Sequence, residues 1–93
     1  MKLVWTRPAH QDRKAIREYI AADNPIAAID LDTLFSQKAA YLIDHPGLGR
    51  PGRVPGTREL VVHRNYILIY DVVDVQVRVL RVLHAARMWP PGP

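Results

Sequence analysis

Cysteine is absent from this chain. Disulfides, thiolate nucleophiles and thiolate metal sites are thereby excluded, and a reducing compartment suits such a sequence. Long apolar runs are absent as well. The longest in the strand-rich half, Tyr66–Tyr70, stops at Asp71, far short of the about 18 residues that a membrane span needs. The opening MKLVWTRP has neither the apolar stretch nor the small-residue cleavage pattern of a secretion signal. A cytoplasmic protein without a membrane partner is therefore expected. The four histidines show no metal-ligand spacing, so neither a metal nor a cofactor is expected. Lysine is missing from residues 46–93, where seven arginines face only three acids, whereas residues 1–45 balance six basic side chains with six acidic ones. The net charge of +4 thus sits in the second half and is carried by guanidinium. That planar fork suits phosphate or carboxylate, which points to an anionic partner: nucleic acid or an acidic protein segment.

What is present fits one soluble domain spanning residues 1–93, with 48% hydrophobic and 24% charged residues. Leu3 to Trp5 can form a first strand. Thr6 can cap a helix with Pro8 in its first turn, where the missing N–H costs nothing. The helix runs to Asn24, with Ile16, Tyr19 and Ile20 on one face. Asn24-Pro25 ends it and starts a second helix, about Pro25 to Ile43, lying antiparallel to the first. Ala28, Leu31, Phe35, Ala39 and Leu42 give this helix an apolar stripe, widened by Ala27, Leu34 and Tyr41.

A Pro/Gly-rich loop follows, GLGRPGRVPG. It matches neither the Walker nor the dinucleotide fingerprint and reads as a connector whose Arg50 and Arg53 assist binding. Thr57 to His63 alternates, placing Arg58, Leu60 and Val62 on one face and Glu59, Val61 and His63 on the other. His63-Arg64-Asn65 is the expected turn. Tyr66 to Leu83 as a single strand would extend about 59 Å, against a radius of gyration of about 13 Å for a domain of this length. The run must fold back within Asp71–Gln76, giving strands Tyr66–Val72 and Gln76–Leu83. Simple alternation puts Arg78, Leu80, Val82 and His84 on one face and Val77, Val79, Arg81 and Leu83 on the other. The helices need one side of this sheet, leaving the other side and the strand ends for function.

Individual residues carry two readings each. Arg58 either pairs with a cross-strand acid such as Asp71 or contacts phosphate or an acidic segment. Arg81 lies in an apolar run, where a charge needs a partner, so a salt bridge is its expected role. His84 has the chemistry of an acid–base catalyst but no carboxylate nearby in sequence to orient it. Arg87 shares a face with His84 if the tail turns helically. Trp89 is expected to pack the C-terminus onto the body, and Tyr66 and Tyr70 to be core residues with polar tips.

The order of strand, helix hairpin, Pro/Gly loop, three strands and basic–aromatic tail resembles the RelE/ParE superfamily of bacterial toxins. The residues carrying the resemblance are LVW, DNPIAA, and GRPGRVPGTREL–YILIYDV–VRVLRVLHAARMWP, so it covers almost the whole chain. The resemblance implies an α+β fold: an N-terminal strand, an antiparallel helix hairpin and a mainly antiparallel sheet with three consecutive C-terminal strands. It also implies the toxin of a type II toxin–antitoxin module of the plasmid-stabilisation kind, neutralised by a cognate antitoxin.

One branch of that superfamily cleaves messenger RNA on the ribosome and the other poisons DNA gyrase. The nuclease branch needs a basic cluster on the sheet. Aligned without gaps, Arg58 falls on its first strand lysine and Arg87 on its C-terminal arginine. Leu60 replaces the second lysine, Ile67 replaces the strand arginine, and the tail tyrosine has no counterpart. A positioned acid or base contributes about 10²–10⁴-fold and an oxyanion-type donor about 10²–10³-fold, so these losses leave little of a ribonuclease.

The resemblance therefore implies a gyrase inhibitor. Arg50, Arg53, Arg58, Arg64, Arg81, His84, Arg87 and Trp89 are its expected target- or antitoxin-binding residues. The alternatives are a ribosome-dependent nuclease using Arg58, His84 and Arg87, and a decayed toxin that only binds antitoxin. A homodimer and a heterotetramer with antitoxin both remain open.

Overall fold

The computed structural model describes residues 1–86; the expectations for Arg87 and Trp89 fall outside them. Strand β1 (Lys2–Trp5) leads into helices α1 (Arg7–Ala21) and α2 (Pro25–Tyr41). After them come a two-residue strand β2 (Arg50–Pro51) and strands β3 (Arg58–His63), β4 (Tyr66–Val73) and β5 (Gln76–His84). The sheet order is β1-β5-β4-β3-β2. β1 runs parallel to β5, and the remaining pairs are antiparallel. Both helices pack on one face of the sheet, which is the expected α+β arrangement.

The helix boundaries follow from local chemistry. Thr6 Oγ accepts the Ala9 N–H and Asn24 Oδ1 accepts the Ala27 N–H, each satisfying an otherwise orphaned donor in a first turn that also holds a proline. α2 ends at Tyr41, two residues before the expected Ile43, with Leu42 as its cap. The core forms where the α2 stripe meets the sheet. Ala9, Phe35, Ala39, Val62, Leu68, Val79 and Val82 cluster together, and Leu42, Tyr70 and Val77 form a second group. Two residues assigned to apolar faces lie outside it: Tyr19 is 82% exposed and Tyr41 57% exposed. The sheet is covered by Ile16 of α1 and by Ala28, Leu31, Leu34, Phe35, Ala39 and Leu42, which leaves Tyr19 and Tyr41 outward.

The β4–β5 turn falls where expected, at Asp74-Val75, with Asp74 in the left-handed region at φ 53°. Asp tolerates that conformation better than most non-glycine residues. The strict alternation expected for β5 does not hold. Ile69 pairs with Arg81 and Tyr70 with Val79, which leaves Leu80 as an extra residue in a bulge. The bulge resets the side-chain phase, so Val82 joins Val77 and Val79 on the helix side instead of Arg78.

Strand β1 stops pairing at Trp5, yet β5 continues to His84. Thr6 covers the next carbonyls, its Oγ donating to the Val79 and Leu80 oxygens. Asp12 then takes the Val82 N–H at 2.9 Å. A side chain from α1 thus continues the hydrogen bonding that a longer strand would have made.

Candidate target-binding surface

The arginines of the second half divide into those consumed inside the fold and those left outward. Arg81 is consumed. Its Nε and Nη2 reach the two Asp12 oxygens at 2.7 and 2.9 Å, a bidentate fork. Hydrogen bonding and charge from Asp12 outweigh burial and hold this guanidinium above its ordinary range. Arg78 is consumed likewise by Asp71, at 2.8 and 2.6 Å, with its pKa raised for the same reason. One of the two readings of Arg58 pairs it with a cross-strand acid such as Asp71. The register instead sets Asp71 against Arg78 and Arg58 against Tyr70. Arg58 turns to backbone, donating to the Gly49 carbonyl at 2.7 Å and the Gly47 carbonyl at 3.5 Å. Arg81 thus makes the salt bridge expected of a charge in an apolar run, and Arg58, half-buried, braces the loop.

The loop before β3 is held from below by buried groups. Tyr70 is 0% exposed; its hydroxyl donates to the Pro46 carbonyl and accepts the Gly49 N–H, both at 2.8 Å. A Cβ on Gly49 would stand 2.8 Å from the Tyr70 ring and 2.9 Å from the Glu59 carbonyl, so only glycine passes here. Glu59, 6% exposed, accepts Arg50 Nη2 at 3.3 Å on one oxygen and the Arg53 N–H at 3.2 Å on the other. Arg50 keeps 66% of its side chain exposed, and Arg53 is exposed. Sequence reasoning missed Glu59 and Tyr70 in this role. The signal was an acid within a strand beside two arginine-bearing turns, since a buried carboxylate must find donors.

Arg64 and His84 are exposed at the opposite end of the sheet. His84 Nδ1 accepts the Ala86 N–H at 3.1 Å, and its ring stands edge-on to Tyr66 at 5.3 Å. Tyr66 separates two clefts. One, of about 460 Å³, is lined by Ile20, Leu31, Leu34 and His63; the other, of about 530 Å³, by Asp12, Ile16, Tyr19, Val82 and His84. Arg13, 4.4 Å over the Trp5 ring, ties the helices together through Asp32 and Ser36. Among the described residues, no three His, Cys, Asp or Glu side chains are grouped to hold a metal ion, and no helix is long and apolar enough to cross a membrane.

The family model for the ParE toxin of the type II toxin–antitoxin system parDE matches residues 3–89. The chain belongs to this toxin family. The toxin is 38% identical over 87 residues to toxin RelE2 of Caulobacter vibrioides, covering 94% of this chain and 98% of the relative. It is 34% identical over 89 residues to putative toxin Y4kP of Sinorhizobium fredii, covering 96% and 93% of the two chains. Among solved structures it is similar to the chromosomal ParDE toxin–antitoxin system from P. aeruginosa, with a TM-score of 0.82 and 28% identity over 90% of this chain and 95% of that one. The YoeB/ParE toxin from Agrobacterium tumefaciens shares the fold, with a TM-score of 0.68 at 20% identity over 90% and 98% of the two chains.

Two positions of this toxin bear on its chemistry. Leu60 packs against both core groups. Ile67 lies half-buried between Val61 and Leu83 in the sheet register. Neither side chain can take up or release a proton.

Proposed function

We propose that this toxin inhibits DNA gyrase and that a cognate antitoxin, encoded with it, neutralises it. The observation that carries the reading is the composition of the sheet. Leu60 and Ile67 stand where a nuclease of this fold would place charge, and Arg58 is bound to loop carbonyls. A phosphodiester-cleaving site needs a base, an acid and a donor for the transition-state charge. Of the candidate nuclease residues Arg58, His84 and Arg87, Arg58 is engaged with the loop, which leaves His84 and Arg87. Binding an enzyme–DNA complex makes no such demand, and an arginine-rich surface suits it. The likeness to the ParDE system and to the ParE family model supports the same branch.

Purified toxin added to gyrase and relaxed plasmid should block supercoiling or trap cleaved DNA, and added antitoxin should reverse it. Unchanged supercoiling at saturating, antitoxin-free toxin would rule the reading out. The relative named RelE2 favours a second reading, a ribosome-dependent mRNA endonuclease. Codon-phased cleavage in a translating extract, lost in His84→Ala or Arg87→Ala, would establish that reading instead.

A further inference from the structure

The segment from Gly49 to Arg53 is more firmly built than a connector requires. Three side chains fix it from beneath: the Tyr70 hydroxyl at Pro46 and Gly49, the Arg58 guanidinium at the Gly49 carbonyl, and the Glu59 carboxylate at Arg50 and Arg53. Tyr70 and Glu59 are buried and hold the backbone of the loop, and Glu59 also holds one side chain, Arg50, which stays largely in solvent. One carboxylate sets both arginines, one through its side chain and one through its backbone. Arg50 gives a single nitrogen to Glu59, at 3.3 Å, and makes no other side-chain hydrogen bond among the described residues. Holding a long cationic side chain in place before binding lowers the entropy lost on binding, which is the advantage of a preorganised guanidinium.

We propose that Gly49–Arg53 is a contact site for the phosphate backbone of duplex DNA, with Arg50 and Arg53 as the contacting groups and Tyr70 and Glu59 as positioning residues. The site has no base-reading element: its outward groups are guanidiniums on a turn, and β2 is only two residues long. Contacts of this kind position a protein on DNA without reading sequence. The proposal extends the gyrase reading, because gyrase works on duplex DNA, but it is measured on the toxin alone. The two can therefore fail separately.

The experiment is fluorescence anisotropy of the full-length toxin with a fluorescein-labelled 20-base-pair duplex across about 50–200 mM salt. Each phosphate contact contributes a slope of about −0.9 in log affinity against log salt. Arg50→Ala and Arg53→Ala should each flatten the slope by about that amount, while Lys14→Ala, at an exposed position of α1, leaves it unchanged. Tyr70→Phe keeps the ring in the core and removes only the hydroxyl. It should weaken binding about threefold to tenfold with the slope retained, since the arginines remain but are less well held. Glu59→Gln tests the same positioning should Tyr70→Phe fail to fold.

A wild-type toxin that binds the duplex with no salt dependence would overturn the site. So would an Arg50→Ala/Arg53→Ala double variant binding as wild type, or binding confined to single-stranded RNA. Folded Tyr70→Phe and Glu59→Gln variants with wild-type affinity would overturn the positioning role.

Discussion

Asp12 and Arg81 lie 69 residues apart in sequence and meet through two hydrogen bonds, and the same carboxylate also holds the Val82 N–H. Asp12→Ala should therefore lose more than an ion pair. It strands a backbone donor and a partly buried guanidinium, a loss of about 2 kcal/mol. Asp12→Asn keeps an oxygen for Val82 and should lose about half as much. Urea midpoints of the three proteins check the order. An Asp12→Ala midpoint equal to wild type would contradict it.

The same pair sets a pH expectation. Asp12 raises the Arg81 pKa, so the linked stabilisation is complete below the unfolded guanidinium range and disappears only as pH climbs through the raised folded value. The stability difference between wild type and Arg81→Met should stay level from about pH 6 to pH 10. Melts across that range provide the measurement, and a steady drift toward the alkaline end would count against it.

Arg13 joins three groups by different means: it stacks on Trp5, forks onto Asp32 and donates to Ser36. Arg13→Ala should cost about 1–2 kcal/mol, more than an ordinary surface pair. Arg13→Lys should recover little, because an ammonium can neither stack flat nor fork. Trp5 fluorescence should change in both variants while helix content holds.

Asp74 adopts positive φ at the β4–β5 turn. Asp74→Gly removes the steric penalty and should leave stability level or raise it slightly. Asp74→Val, with a branched Cβ, should lose about 1–2 kcal/mol. Thermal melting of the pair separates a backbone effect from a side-chain contact.

Phe35 is 1% exposed and packs edge-on against Tyr66 at 5.7 Å. Phe35→Ala should cost about 3–5 kcal/mol, a large share of the about 5–15 kcal/mol that holds a small domain together. Phe35→Leu should retain most of it. A cooperative melt for Phe35→Ala at an unchanged temperature would refute this.

Much of the scaffold was legible because it rests on local rules. Thr6-x-Pro8 and Asn24-Pro25 fix helix starts, the 28–35–39–42 spacing fixes the buried stripe, and the length of Tyr66–Leu83 forces a hairpin. The partners of charged residues were less legible. Asp71 chose Arg78 because the β4–β5 register brought them opposite, and the Leu80 bulge that shifts the later register has no signature in an apolar run. Asp12 meets Arg81 only after the sheet has formed. The loop clamp was hidden for the same reason: Tyr70 looks like any strand aromatic until Pro46 and Gly49 lie over it.

β1 takes its sheet partner from residues 76–79 of β5. A ribosome must therefore synthesise nearly all of the described chain before the opening strand has anything to pair with, and the helices cannot be sealed onto a finished sheet earlier. The β1 edge of the sheet therefore closes last, once the final strand is free to be claimed by the first.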